Sequence, residues 1–126
     1  MKLEWKDGYR VGDELIDQQH QRMFELANAM HDAKDQAELR LAAIRLYQHV
    51  REHFADEESL MRKVGFPGYA EHVESHNKML AALNSVSQSI GRNEAKPDVV
   101  SALLMNWTLN HIPFADAQVA SYIQGQ

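Results

Sequence analysis

The chain contains no cysteine among its 126 residues. Disulfides, thiolate-bound zinc, iron-sulfur clusters and cysteine nucleophiles are thereby excluded together, so any metal must be held by imidazole and carboxylate. An excess of basic charge is also missing. Lys and Arg number 13 against 18 Asp and Glu, for a formal net charge of -5, and they are not gathered in blocks, which argues against a general nucleic-acid surface. No window approaches the ~20 apolar residues a membrane span needs. The opening stretch MKLEWKDGYR lacks the apolar core of a signal peptide. The expectation is a cytoplasmic, monomeric protein with no nucleic-acid partner and no membrane span. Internal repeats and low-complexity tracts are absent as well. What remains is a chain with 44% hydrophobic content, enough to bury one core, so a single domain over residues 1–126 is expected.

Apolar residues recur at steps of three and four through nearly the whole chain, with no alternating run of strand length. The class is all-α. Helices are expected at about Ile16 to Ala33, Gln36 to Val64, Tyr69 to Ile90 and Pro97 to His111, the last with an irregular extension toward Tyr122. Asp35 is placed to cap the second helix, Gly65 to Gly68 breaks the chain before the third, and Gly91 to Pro97 separates the third from the fourth. Short connections make neighbouring helices antiparallel, so an up-down-up-down four-helix bundle follows, preceded by an N-terminal arm carrying Trp5 and Tyr9.

The apolar seams carry polar residues where a core residue is due. On the second helix the seam runs Leu46, Val50, His53, Glu57, Leu60, Val64. On the third it runs Tyr69, His72, His76, Met79, Leu83, Val86, Ile90. The first contributes Ile16, His20, Met23, Ala27 and Met30, and the fourth Val100, Leu104, Trp107, His111 and Phe114. Each inward face therefore presents at least one metal-type ligand. Residues four apart on a helix lie about 40° apart around the axis and about 6 Å along it, so HxxxE and HxxxH each aim two side chains at one point. Asp116 follows His111 by five residues, about 140° away on an ideal helix. Pro113 lies between them and is expected to loosen the helix and swing the carboxylate back.

A single HxxxH or HxxxE is more often a surface pair than a metal site. The whole set is another matter, because burying five imidazoles and two carboxylates without a cation costs several kcal/mol per unpaired group. The other two histidines take ordinary readings. His49 lies beside the seam and is assigned an outer or surface role. His31 stands about 16 Å along the axis from His20, too far to join the same centre. Asp56 and Glu58 read as solvated helix-face charges, and Met23, Met30, Met61 and Met79 as core filler.

Seven nitrogen and oxygen ligands are too many for one tetrahedral zinc and suit two ions bridged by the carboxylates, iron being a good match to imidazole with carboxylate. If both carboxylates bridge, the five histidines divide as three and two, and one metal is left short of a ligand. That shortfall marks where a diatomic would bind.

The strings IDQQH ending at His20, HFADEE from His53, HVESH from His72 to His76, and WTLNHIPFAD from Trp107 to Asp116 together resemble the bacterial hemerythrins over nearly the full length. The resemblance implies one hemerythrin-like domain holding two iron ions with an oxo or hydroxo bridge. In it His72, His76 and His111 would complete one iron, His20 and His53 would hold the other, and Glu57 and Asp116 would bridge. The open position would lie on the iron of His20 and His53. The implied function is reversible dioxygen binding, for oxygen transport, storage or buffering, with nitric oxide, azide and other small molecules as further ligands. A ligand pocket walled by Phe54, Trp107, Thr108 and Ile112 is expected, and Phe54, Trp107, Ile112 and Phe114 are expected to exclude water. Thr108 departs from the apolar residue, often leucine, usual after the tryptophan. Its hydroxyl is expected to admit water or to hydrogen-bond the bound ligand, giving faster autoxidation than leucine would. No glutamate is followed by histidine three residues on, unlike ferritin-like oxidases, which counts against an oxygenase. The alternatives are an oxygen or redox sensor working through a separate partner, and a redox enzyme acting on nitric oxide or peroxide.

Overall fold

In the computed structural model, which describes residues 2–94 and 96–125, α1 spans Glu14–His31, α2 Gln36–Val64, α3 Tyr69–Gly91, α4 Pro97–Asn110 and α5 Ala117–Gln124. A short 3-10 turn, Asp7–Tyr9, lies in the N-terminal arm, and a π-helical turn, Ile112–Asp116, joins α4 to α5. The chain is all-α, with no strand among the described residues. The helix starts follow capping chemistry. Asp13 accepts from the Ile16 amide, and Asp35 accepts from the Glu38 amide as expected, each satisfying a donor the helix itself cannot. α2 ends where Gly65 turns left-handed at φ 67, a conformation in which a Cβ is strained. There the Phe66 amide bonds to the Met61 carbonyl at 2.9 Å and the Gly65 amide to Arg62 at 3.3 Å, closing the carbonyls of the last turn.

The four rods pack as a ring: α1 on α2, α2 on α3, α3 on α4, and α4 back on α1. Their buried stripes form two separate apolar clusters. The larger holds Met23, Phe24, Met30, Leu46, Val50, Phe54, Met79, Leu83, Ile90, Val100 and Leu104. The smaller holds Ile16, Met61 and Val119 at the other end. Where the two clusters border each other along the rods stand the buried histidines and carboxylates, while the buried Ser101 lies within the larger cluster's span on α4. The bundle is thus an apolar core interrupted by one polar layer.

The arm is fastened at several points, among them an ion pair of Lys2 with Asp32 and a hydrogen bond from Gln124 Nε2 to the Gly12 carbonyl at 2.8 Å. Leu3 exchanges two hydrogen bonds with the Asn28 side chain, at 2.6 and 2.7 Å. The buried Asp17 carboxylate accepts from the Val11 and Gly12 amides at 2.7 and 3.2 Å. Trp5 lies edge-on to Phe24 and to Tyr9, and Tyr9 is tilted against Phe24, with centroids 5.3 to 5.9 Å apart.

The seam expectations need correction in places: Tyr69, Val86 and Trp107 are half-buried, and two further departures have a clear cause. On α2 the fully buried position is Met61, while Leu60 and Val64 are only half-buried; a straight helix drifts away from a 3.5-residue repeat over this length. Phe114 is 63% exposed, because the π turn rotates it outward.

Candidate metal centre

The polar layer draws on every rod. His20 comes from α1, His53 and Glu57 from α2, His72 and His76 from α3, His111 from the end of α4 and Asp116 from the π turn. All seven are buried, His111 the most exposed at 7%. The four-residue steps work as the helix dictates. His111 and Asp116 meet by a different device. Pro113 cannot donate to the helical ladder, and the chain responds by widening: the Ala115 and Asp116 amides both point at the His111 carbonyl, at 2.8 and 3.4 Å. The five-residue closure is that of a π turn. It sets Asp116 Oδ1 3.0 Å from His111 Nε2.

Each carboxylate reaches to two sides. Glu57 Oε1 lies 2.5 Å from His72 Nε2 and 3.2 Å from His76 Nε2, while its Oε2 lies 3.4 Å from His53 Nε2. Asp116 Oδ1 lies 3.0 Å from both His72 Nε2 and His111 Nε2, and its Oδ2 lies 3.2 Å from His20 Nε2. Two overlapping donor clusters result, Glu57, His72, His76, His111, Asp116 and His20, His53, Glu57, Asp116, each with its ligand atoms within 4.8 Å of one another. The carboxylates belong to both. Eight of these inward atoms have no hydrogen-bond partner among the described residues: both nitrogens of His20, Nε2 of His53, His72 and His76, both oxygens of Glu57, and Oδ2 of Asp116. Buried polar atoms left this way cost free energy unless a cation is held between them.

The surroundings shift the charges of these groups. Burial, reinforced by nearby His20, holds His53 well below its usual value, so it is a neutral donor. Burial also opposes a charge on His72, but its contacts with Asp116 and Glu57 prevail and lift it to about 9. Burial works against a charged Asp116, yet His111, His20 and His72 hold its carboxyl well below the usual range.

Three outer residues position the rings, and sequence reasoning missed them. His53 Nδ1 meets Gln19 Oε1 at 2.5 Å, His76 Nδ1 meets Glu58 Oε2 at 2.9 Å, and His111 Nδ1 meets Ser75 Oγ at 3.1 Å. Glu58 is therefore not a solvated charge: its side chain is only 20% exposed and is committed to His76 on the neighbouring helix. Seeing this requires the α2–α3 register, which spacing along one helix does not contain. Asp56 does lie at the surface, where it accepts from Gln19 Nε2 at 2.9 Å. His49 bonds through Nε2 to the Gln19 carbonyl at 2.9 Å, outside the donor clusters. His31 pairs with Ser101 Oγ at 2.8 Å, also away from them.

Aromatic rings flank the layer. Phe54 stacks on His76 with centroids 3.9 Å apart and planes 2° apart, and Trp107 stacks on His111 at 3.6 Å and 19°. Ile112 is buried. Thr108 and Ile112 line a cavity of about 340 Å³ whose opposite wall is Gly8 to Val11 of the arm. The Thr108 hydroxyl donates to the Leu104 carbonyl at 2.8 Å. Its proton serves the helix backbone, while the residue itself lines the cavity. Phe114, facing solvent, excludes no water from the layer.

The profile of the Hemerythrin HHE cation binding domain matches residues 11–123. The chain belongs to the hemerythrin family. It is 30% identical to a bacteriohemerythrin of Stenotrophomonas maltophilia, over 97% of this chain and 82% of that one. It is 32% identical to a myohemerythrin of Riftia pachyptila, over 89% and 86%. Crystal structures of wild-type hemerythrin and of a hemerythrin mutant superpose with TM-scores of 0.84 and 0.83. At 24% identity, the wild-type structure covers 96% of this chain and 97% of its own. That likeness shows the fold. Within this hemerythrin bundle the donors converge in the polar layer, and no helix among the described residues is long and apolar enough to cross a membrane.

Proposed function

We propose that this hemerythrin, as one domain spanning its 126 residues, binds dioxygen reversibly at a carboxylate-bridged di-iron centre. The observation that carries the reading is the set of buried donor atoms without partners, arranged as two clusters that share Glu57 and Asp116. His72, His76 and His111 would hold one ion, His20 and His53 the other, and the two carboxylates would bridge. The donor set fits iron, being imidazole-rich with two hard oxygens and no sulfur. When bound, the iron pair supplies the electrons that make dioxygen binding and release possible.

The chain's own residues do the rest. Gln19 and Glu58 accept from the Nδ1 atoms of His53 and His76, leaving each Nε2 free to face the layer. Phe54 and Trp107 lock the His76 and His111 ring planes by stacking and keep water from that side. Ile112 and the Thr108 side chain close the wall toward the arm, beside the cavity through which a small neutral molecule could approach. With only two carboxylates among seven donors, the site carries little negative charge to support highly oxidised iron, which favours binding over oxygen activation. Oxygen carriage, storage or buffering is the role this supports, in place of turnover of nitric oxide or peroxide.

The test is anaerobic reduction of the iron-loaded protein followed by exposure to air, watched by visible absorption. A charge-transfer band that appears with oxygen and vanishes when oxygen is removed supports carriage. Irreversible conversion to the oxidised form refutes it, as does rapid catalytic consumption of peroxide or nitric oxide with a reductant.

A further inference from the structure

The imidazoles of the layer are not backed alike. Among the described residues, His53 Nδ1 faces the neutral amide oxygen of Gln19, His111 Nδ1 faces the hydroxyl of Ser75, and His20 Nδ1 has no hydrogen-bond partner. His76 Nδ1 alone of these four faces a carboxylate, Glu58 Oε2 at 2.9 Å. We infer that Glu58 is a positioning residue of the di-iron site, acting through His76 to strengthen the three-histidine cation position and to make the two positions electronically unequal. The inference rests on the di-iron reading above and says what sets the balance between its halves.

A carboxylate only accepts, so the His76 proton must sit on Nδ1 and the lone pair on Nε2, which faces Glu57 Oε1 at 3.2 Å. Phe54, stacked on the ring, keeps the bond to Glu58 aligned. Beyond fixing the tautomer, an anion at Nδ1 pushes electron density into the ring and raises its basicity toward a metal. The effect is large here because His76 is fully buried and Glu58 mostly so, where water screens little. Gln19 performs the first task for His53 but not the second. Its amide is oriented by donating Nε2 to Asp56, which presents the oxygen to His53 without a charge next to the ring. The three-histidine side therefore holds its cation more tightly and is the side on which the oxidised state is favoured.

The test compares Glu58→Gln, which removes the charge and keeps an acceptor, with Glu58→Ala, which removes both. Glu74→Gln serves as control, removing one exposed charge paired with Lys78 on α3. Iron-loaded proteins are titrated anaerobically with a ferrous chelator, and their reduction midpoints are measured with mediators. Glu58→Ala is expected to weaken iron retention roughly 10- to 100-fold and Glu58→Gln by less. Both should move the midpoint to more positive potential, with Glu74→Gln unchanged. Wild-type retention and midpoint in Glu58→Gln and Glu58→Ala would overturn the inference. So would a shift in Glu74→Gln as large as theirs, or full rescue of both quantities by Glu58→Gln, which would leave Glu58 only a structural tie. If Glu58→Ala does not fold, the midpoint of Glu58→Gln decides. Wild-type protein that fails to hold two irons would instead defeat the di-iron reading itself, and two irons with an unmoved midpoint defeat only this inference.

Discussion

Replacing Phe54 by alanine tests whether the aromatic wall both supports the bundle and protects the layer. Phe54 is 1% exposed, lies in the larger apolar cluster and stacks face to face on His76. Truncating a ring so completely packed costs about 3–5 kcal/mol, the stacking contribution included. With an unfolding entropy of about 2.1 cal/mol/K per residue, a chain of 126 residues loses roughly 11–19 °C in Tm. Part of the space left behind borders His76, whose polar neighbours can satisfy a water molecule, so the oxygenated protein should also decay faster. Phe54→Leu keeps most of the volume and should cost under about 2 kcal/mol. The assay is thermal unfolding followed by circular dichroism at equal iron saturation, since bound metal itself raises apparent stability. Decay of the oxygen-dependent band is followed in the same samples. A loss below about 1 kcal/mol with unchanged decay would refute the reasoning.

Three further outcomes follow from the geometry. Thr108→Val keeps the shape and removes a hydroxyl already engaged by Leu104, so decay of the oxygenated band should match wild type; slower decay would show that the hydroxyl reaches the ligand. Asp17→Ala strands the Val11 and Gly12 amides, which should cost about 1–3 kcal/mol and open residues 8–12 to limited proteolysis, and an arm that stays resistant would contradict the anchor. In the cation-free chain, burial opposes a charge on His72, but Asp116 and Glu57 lift its value to about 9. Its ion pairs stabilise the cation-free fold fully below the unfolded value of about 6.5 and are lost as pH rises through about 9. Iron must bind the neutral ring, so loading near pH 7 should release this proton, measurable with an indicator dye in weak buffer. Loading should release less as the pH passes 9, and equal release at pH 7 and pH 10 would contradict the assignment.

Much of the bundle is written in the apolar period. The bounds of α2 coincide with the expected Gln36 to Val64, and the other helix ends fall within two residues of expectation, because caps and glycines mark them locally. The seam positions of His20, His53, Glu57, His72 and His76 are equally local, each set by its own helix. What was not legible depends on contacts between rods or on the path after a proline. Pro113 announces a break, and the inward swing of Asp116 was expected from it; what it does not say is that the amides of Ala115 and Asp116 will both turn to the His111 carbonyl, a closure that leaves Phe114 facing outward. Glu58 looks like Asp56 in sequence, two charges on one helix. Only the packing of α3 on α2 brings His76 to one of them, and only α1 brings Gln19 to the other. The Thr108 hydroxyl, likewise, chooses between backbone and cavity according to its rotamer, about which composition says nothing.

Two cations sharing Glu57 and Asp116 underlie every role proposed for the polar layer. The most direct measurement is iron content per chain after anaerobic reconstitution with excess ferrous iron and removal of loosely bound metal, on wild type and on Glu57→Ala with Asp116→Ala. Two irons per wild-type chain, falling to one or none in the double variant, is the predicted result. Fewer than two in the wild type, or two retained without either carboxylate, would contradict it.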